Sequence, residues 1–461
     1  MTENSENMGK IIFLGMSDTG EKIPASSGRI STQEGDAEEI FNRSSDETKN
    51  ASLIKKVTNS GHNSVIEHTF INLAFNNVSV CVEQFMIEFR LASFTVKSRR
   101  YVNFENSGYY IPPELNEEQK KIYSEKMDFF FDSYANFVDA GIPKEDARFV
   151  LPYSFRSNFY MSANAREILH ILSAMIYGRG KKYSEIYRLG RQLYDILTEK
   201  LPGIMADFDI RHSYTESDDA DYSEFVPIKR NPMNKDVKLI SFTPDAAKKV
   251  ARAALISDGR FSVDSVSEIL SDKENVEKIV AKVLKSSRPR PLETINCSFR
   301  INGVSLSTVT HFSRHRLQSL IVPPLKNTDR HRYIVPESIK ADETLLNLYL
   351  KCYCEINDLF NKLSSQGVCD EVLVYCLLSG NAVDIETTMN GRELYLFMSL
   401  RTCQRAQWEI RDYAITMLKL LRREEPEIFS LFGPGCYTSH CPEGRLSCGK
   451  SAEIKEYFKT L

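Results

Sequence analysis

Apolar and polar residues alternate along this chain with two periods. "INCSFRI" (295–301) alternates at every second position, the pattern of a strand with one buried face, and "VKLISF" (237–242) reads as a shorter strand before it. Asn302-Gly303 then predicts a turn. Between these strands, "TPDAAKKVARAALI" (243–256) has helical spacing, with Thr243 placed to cap and Pro244 at the first helical position. "SLSTVTHFSRHR" (305–316) predicts a helix with an apolar face that closes on Arg314, His315 and Arg316. "YLFMSL" (395–400) and "AQWEIRDYAITMLKLLRR" (406–423) predict core helices, the second placing Ile410, Tyr413, Met417 and Leu421 on one face. Strands and helices without regular βαβ alternation indicate an α+β fold.

The pattern occurs twice. "NSVIEHTFINLAFNNVSVCVEQFMIEFRLAS" (63–93) aligns with "PRPLETINCSFRINGVSLSTVTHFSRHRLQS" (289–319), so that Glu67 matches Glu293, Arg90 matches Arg316 and Ser93 matches Ser319, always 226 residues apart. The same offset carries "NAREIL" (164–169) onto "NGRELY" (390–395). One register held over that span indicates a tandem duplication. The copies are taken as residues 1–225 and 226–461, the second with a cysteine-rich tail at 433–450; the junction lies in polar, proline-bearing "HSYTESDDADYSEFVPIKRNPMNKD" (212–236). Each copy is expected to be one sheet, antiparallel or mixed, with packed helices.

Composition narrows the function. The 461 residues are 42% hydrophobic and 26% charged, as in a globular chain of two or three domains. A net charge of −3 provides no global field for nucleic acid or anionic membrane, so any bound anion needs a local cluster of cations. No apolar run approaches ~18 residues, and "MTENSENMGK" lacks the apolar core of a signal peptide, so a cytoplasmic protein with no membrane partner is expected. Nine of the ten cysteines lie from Cys297 onward, and reduced thiols fit that compartment. Cys436, Cys441 and Cys448 with His440 have the ligand chemistry for a tetrahedral zinc; their spacing departs from the usual Cys-x-x-Cys pair, and adjacent His440 and Cys441 make awkward co-ligands, so no metal is assigned. "GRGKKYS" (178–184) lacks the spacing of a phosphate loop.

Arg314, His315 and Arg316 offer the required local cluster. Cations at a helix end can simply answer the helix dipole. Here "LQSLIVPPL" follows at once, and three neighbouring helical side chains cannot share one solvated face, so the pair of guanidinium groups sits at the rim of apolar structure, where it suits phosphate.

At these residues the chain resembles the flavin-dependent thymidylate synthases, whose signature is Arg-His-Arg, seven residues, then Ser, with Arg-Tyr soon after. The second copy has "RHR" (314–316), "NGR" (390–392) and "LRTCQRAQWEIRDYA" (400–414); the first has "EH" (67–68), "SRRY" (98–101), "ARFVLP" (147–152) and "NAR" (164–166). The resemblance implies reductive methylation of dUMP to dTMP, with FAD, NADPH and methylenetetrahydrofolate and without a cysteine nucleophile. It implies Ser98 and Arg401 as the catalytic pair, and Ser98, Arg100, Arg148, Arg314 and Arg401 around dUMP. Arg314, His315, Arg316, His68, Asn390 and Arg392 would hold FAD. Ser98 as a turn serine, the arginines in surface ion pairs and His68 as a core histidine are the plainer readings of the same residues.

Each copy departs from the family pattern in a complementary way. Seven residues past Arg316 stands Pro324 instead of serine, whereas seven past Arg90 stands Ser98; the first copy has Glu88-Phe89 where the second has Arg314-His315. Arg148 is matched by Val374, His68 by Thr294, and Arg401 by no arginine in "MIYGRGKKYSEI". Because family members are homotetramers with sites between subunits, a homodimer of this duplicated chain would imitate the tetramer with two composite sites. One-carbon transfer to another pyrimidine nucleotide, suggested by Pro323-Pro324 and the longer loop before "RHRY" (330–333), and a non-catalytic nucleotide-binding paralogue are the rival readings.

Overall fold

A computed structural model describes residues 8–213, 222, 225 and 234–461. The body of the polar junction therefore lies outside the described residues. The chain forms two compact units, one of residues 1–230 and 335–379, the other of residues 231–334 and 380–461.

Each unit holds a four-stranded antiparallel sheet. In the first, β1 (Lys10–Met16), β2 (Phe70–Ser79), β3 (Ser93–Val96) and β4 (Arg156–Asn164) lie in the order β1-β2-β4-β3. In the second, β5 (Asp236–Phe242), β6 (Asn296–Ser305), β7 (Ser319–Ile321) and β8 (Ala382–Asn390) repeat it as β5-β6-β8-β7. Every strand of the second sheet starts 226 residues after its counterpart, so the repeat read from side chains is a repeat of architecture, an α+β module present twice. Alternation places Ile71, Leu73, Phe75, Phe159 and Met161 in the core of the first unit, against the Ala165–Ile176 and Ser184–Lys200 helices.

Three local features differ from the sequence expectation. Asn302-Gly303 does not turn the chain; β6 runs on to Ser305 through an irregularity between Ile301 and Val304, with Gly303 at φ +73°. The equivalent break in β2 puts Asn77 at φ +54°, so the bulge demands a left-handed residue in both copies and takes glycine once and asparagine once. The 246–258 helix begins after Asp245, itself left-handed at φ +52°, and not after Thr243, whose hydroxyl instead accepts the N–H of Asn296 at 2.9 Å. The Leu306–Phe312 helix stops short of the Arg-His-Arg triplet, which lies in the following turn with His315 buried and Arg314 and Arg316 exposed. The core face of the Trp408–Glu424 helix is as read, with Ile410, Tyr413, Met417 and Leu421 all buried.

Residues 335–379 belong by sequence to the second copy and pack into the first unit. Their long helix, Glu343–Ser365, lies against the Glu117–Asp139 helix, its own counterpart 226 residues earlier. No helix among the described residues is long and apolar enough to cross a membrane.

Candidate functional site

In the second unit, the Gly391–Arg401 helix is the platform. Asn390 caps it, its side-chain oxygen accepting the backbone N–H of Glu393 at 2.9 Å, which orients the first turn toward the triplet. Glu393 Oε1 then lies 2.8 Å from His315 Nδ1, both side chains buried. From the last turn of the same helix, Arg401 Nε reaches His315 Nε2 at 2.9 Å, and Arg401 Nη2 donates to the His311 carbonyl at 3.3 Å.

These contacts settle the protonation of the ring. A guanidinium can only donate, so Nε2 carries the lone pair and Nδ1 carries the hydrogen, which it gives to the Glu393 carboxylate. The imidazole is therefore neutral. Burial pushes its pKa below the usual 6.5, with Arg401 and Arg314 acting in the same direction and Glu393 opposing them. His315, packed on Phe397 at 4.8 Å between ring centres, thus has both nitrogens engaged within the protein and acts as a bracket for Arg401. Arg392 pairs with Glu293 at 2.7 Å, and that arginine's hydrogen bond, with Arg290 adding to it, holds the Glu293 carboxyl below the usual carboxylate range.

The first unit builds a different half. Ser98 Oγ accepts the Arg100 backbone N–H at 3.3 Å, Arg100 Nε donates to Glu145 Oε2 at 2.6 Å, and buried Arg148 donates from Nε to the Glu145 carbonyl at 3.1 Å. Glu145 therefore gathers Ser98, Arg100 and Arg148 into one group. Below them, buried Arg99 pairs with buried Glu83, which also accepts from Ser157 at 2.6 Å. His68 stands apart, exposed at the end of the Asn63–His68 turn, beside Glu67, which binds Arg166 at 2.6 Å.

Where the second unit has its arginine–histidine–glutamate chain, the first has an apolar plug. Phe89 occupies the position of His315 and is buried against Phe85 and the edge of the His170 ring. Glu88 pairs with Arg179 at 2.5 Å, and Glu167, the counterpart of Glu393, lies 3.4 Å from His170. Arg314, His315, Asn390 and Arg401 are thus brought together in one unit, and Ser98, Arg100 and Arg148 in the other. Glu393 and Glu145 were missed from sequence. The repetition of glutamate at 167 and 393 was a signal for the first; nothing in the sequence pointed to the second. Among the described residues no group of three His, Cys, Asp or Glu side chains is arranged to hold a metal, and all ten cysteines are free thiols.

The family model described as thymidylate synthase complementing protein matches residues 14–203 and again 238–427. The chain belongs to this family. It carries the family's module twice, in agreement with the two sheets. Single-module relatives show the same proportion. The flavin-dependent thymidylate synthase of Geobacter sulfurreducens is 34% identical over 229 residues, covering 49% of this chain and 98% of the relative. That of Clostridium tetani is 32% identical over 244 residues, covering 49% and 98%. That of Sulfurisphaera tokodaii is 33% identical over 207 residues, covering 44% and 79%.

Proposed function

We propose that the chain is a flavin-dependent thymidylate synthase that converts dUMP to dTMP at a site assembled from unlike halves. The observation that carries this reading is the division of labour between the units: the buried Glu393–His315–Arg401 chain is built in the second only, and the Ser98–Arg100–Arg148 group in the first only. Decay without selection would remove residues from either copy regardless of what the other retained.

Ser98, Arg100, Arg148, Arg314 and Arg401 bind the nucleotide, whose phosphate suits several charge-assisted hydrogen bonds. Ser98 and Arg401 are assigned next to the reacting pyrimidine. The donor set of the second unit fits FAD: Arg314 and Arg316 at the surface, Arg392 beside them and Asn390 at a helix start match an anionic dinucleotide, and His68 of the first unit completes the set. When bound, the flavin supplies a hydride taken from NADPH, while methylenetetrahydrofolate is the one-carbon donor. His315 is a positioning residue: as a neutral acceptor it holds the Arg401 guanidinium in one orientation, which spares the entropy of ordering a long side chain at the moment of binding. We assign the repeat boundaries 1–225 and 226–461 to the two ancestral modules and a homodimer with two live sites to the working protein.

The test is purification of the full chain, measurement of flavin absorbance after loading with FAD, and assay of dTMP formation from dUMP with NADPH and methylenetetrahydrofolate. Bound flavin and turnover are expected. Protein that cannot be loaded with FAD would end this reading, and a loaded flavoprotein indifferent to dUMP would redirect it to another nucleotide.

A further inference from the structure

The first unit contains a polar pocket that uses none of the residues assigned above to dUMP or flavin. It has a volume of about 230 Å³ and lies between the Asn63–His68 turn, one face of the Ala165–Ile176 helix and the Phe208–His212 helix. Asn63, Arg166, His170, Ser173, Arg211 and His212 supply its hydrogen-bonding groups.

Arg211 is the central observation. Its Nη2 donates to the carbonyls of Ile204 at 2.8 Å and Ala206 at 3.1 Å, which fixes the guanidinium plane, while its Nε is buried with no hydrogen-bond partner among the described residues. A buried guanidinium donor left unmade costs on the order of 1–3 kcal/mol. Asn63 Oδ1 is likewise buried without a partner, and an amide can turn over to offer its NH2 instead. The carboxylates at the margin are already committed, Glu67 to Arg166 and Glu167 to His170. His212, stacked on Phe208, is kept neutral because burial, then Arg211 and His170, push its pKa down to about 4.

We propose that this pocket binds a small oxyanion, a phosphate or carboxylate group carried by a fragment-sized molecule. A charged acceptor facing Arg211 Nε satisfies the orphan donor and supplies the countercharge to a half-buried cation. The volume lies below the ~300–1,000 Å³ typical of pockets for larger ligands, so a dinucleotide is excluded from it. The pocket belongs to the first copy alone: 226 residues on, Asn63 becomes Pro289 and His170 becomes Leu396. It is thus an acquisition or retention specific to the copy that lost Arg-His-Arg.

The experiment is calorimetric titration of the full-length chain with inorganic phosphate and, separately, with acetate. Saturable binding of at least one anion is expected, weakened about tenfold, the effect of one lost charged hydrogen bond, in Arg211→Gln and in His170→Leu, with flavin loading unchanged. Phosphate or acetate alone would name the class. His170→Leu keeps the test alive if Arg211→Gln unfolds, because the His170 side chain is 66% exposed and the second copy already carries leucine there. Absence of saturable binding by both anions, or equal binding by the native chain and His170→Leu, would overturn the proposal. Since flavin loading and dTMP formation are read separately, failure here leaves the synthase reading untouched.

Discussion

Tyr153 donates its backbone N–H to the carbonyl of Leu377 at 2.7 Å, and Ser379 donates its own to Leu151 at 2.9 Å. The offset of 226 turns Tyr153 into Ser379 and Leu151 into Leu377, so the two bonds are one contact made twice, with the partners exchanged. Such reciprocity is the mark of an isologous interface between identical subunits. Here it has become internal to one compact unit, which takes residues 335–379 from the second copy. Around it, Tyr353 Oη donates to the Phe149 carbonyl at 3.1 Å and Tyr375 Oη donates to Glu185 at 3.1 Å, all these groups being buried. The contacts between former subunits are now part of a core.

Removing one of those contacts tests how firmly the segment is held. Tyr375→Phe deletes the hydroxyl donated to a fully buried carboxylate, whose pKa burial has already raised. A loss of about 1.5–3 kcal/mol is expected, read as a lower denaturant midpoint with an unchanged slope. An unchanged midpoint would mean that the 335–379 segment does not depend on this anchor.

The divided site makes a prediction that a self-contained module would not. Ser98→Ala and Arg401→Lys lie in different copies, yet each should lower kcat/KM for dUMP by roughly tenfold or more, because each removes a hydrogen bond to the same nucleotide. Full activity in either variant would show that one copy suffices.

His315 should make the protein acid-sensitive. Its folded-state pKa lies below 6.5, so between that value and 6.5 the unfolded chain binds more protons than the folded one. Stability therefore falls as pH drops through this window and is recovered above it. His315→Leu should lose less stability between pH 7 and pH 5 than the native chain does in parallel urea titrations. Equal losses would mean that the ring is not held neutral.

Alkylation should separate the thiols by burial. Cys354 and Cys369 are exposed, whereas burial raises Cys297 and Cys352 to about 12 and Cys81 further still. Iodoacetamide at neutral pH is expected to modify the exposed pair first, and dTMP formation to survive that modification. Early labelling of Cys81 would contradict the packing around it.

Sequence by itself determined the duplication, the four strands of each module and the residues of the split site. These depend on local alternation, on capping residues such as Asn164 and Asn390, and on identities repeated at one spacing, all of which act over a few neighbouring positions. Arg314 and His315 were legible as a cluster, but their opposite fates were not: His315 is buried because Glu393 and Arg401, 78 and 86 residues away, close on its two nitrogens. The bulge at Gly303, the helix start after Asp245 and the gathering of Arg100 and Arg148 by Glu145 were likewise decided by partners distant in the chain. So was the passage of residues 335–379 into the first unit. A segment's pattern states which face it must bury; which surface buries it depends on the shape and hydrogen-bonding groups of everything else that folds, and only the tertiary structure supplies those.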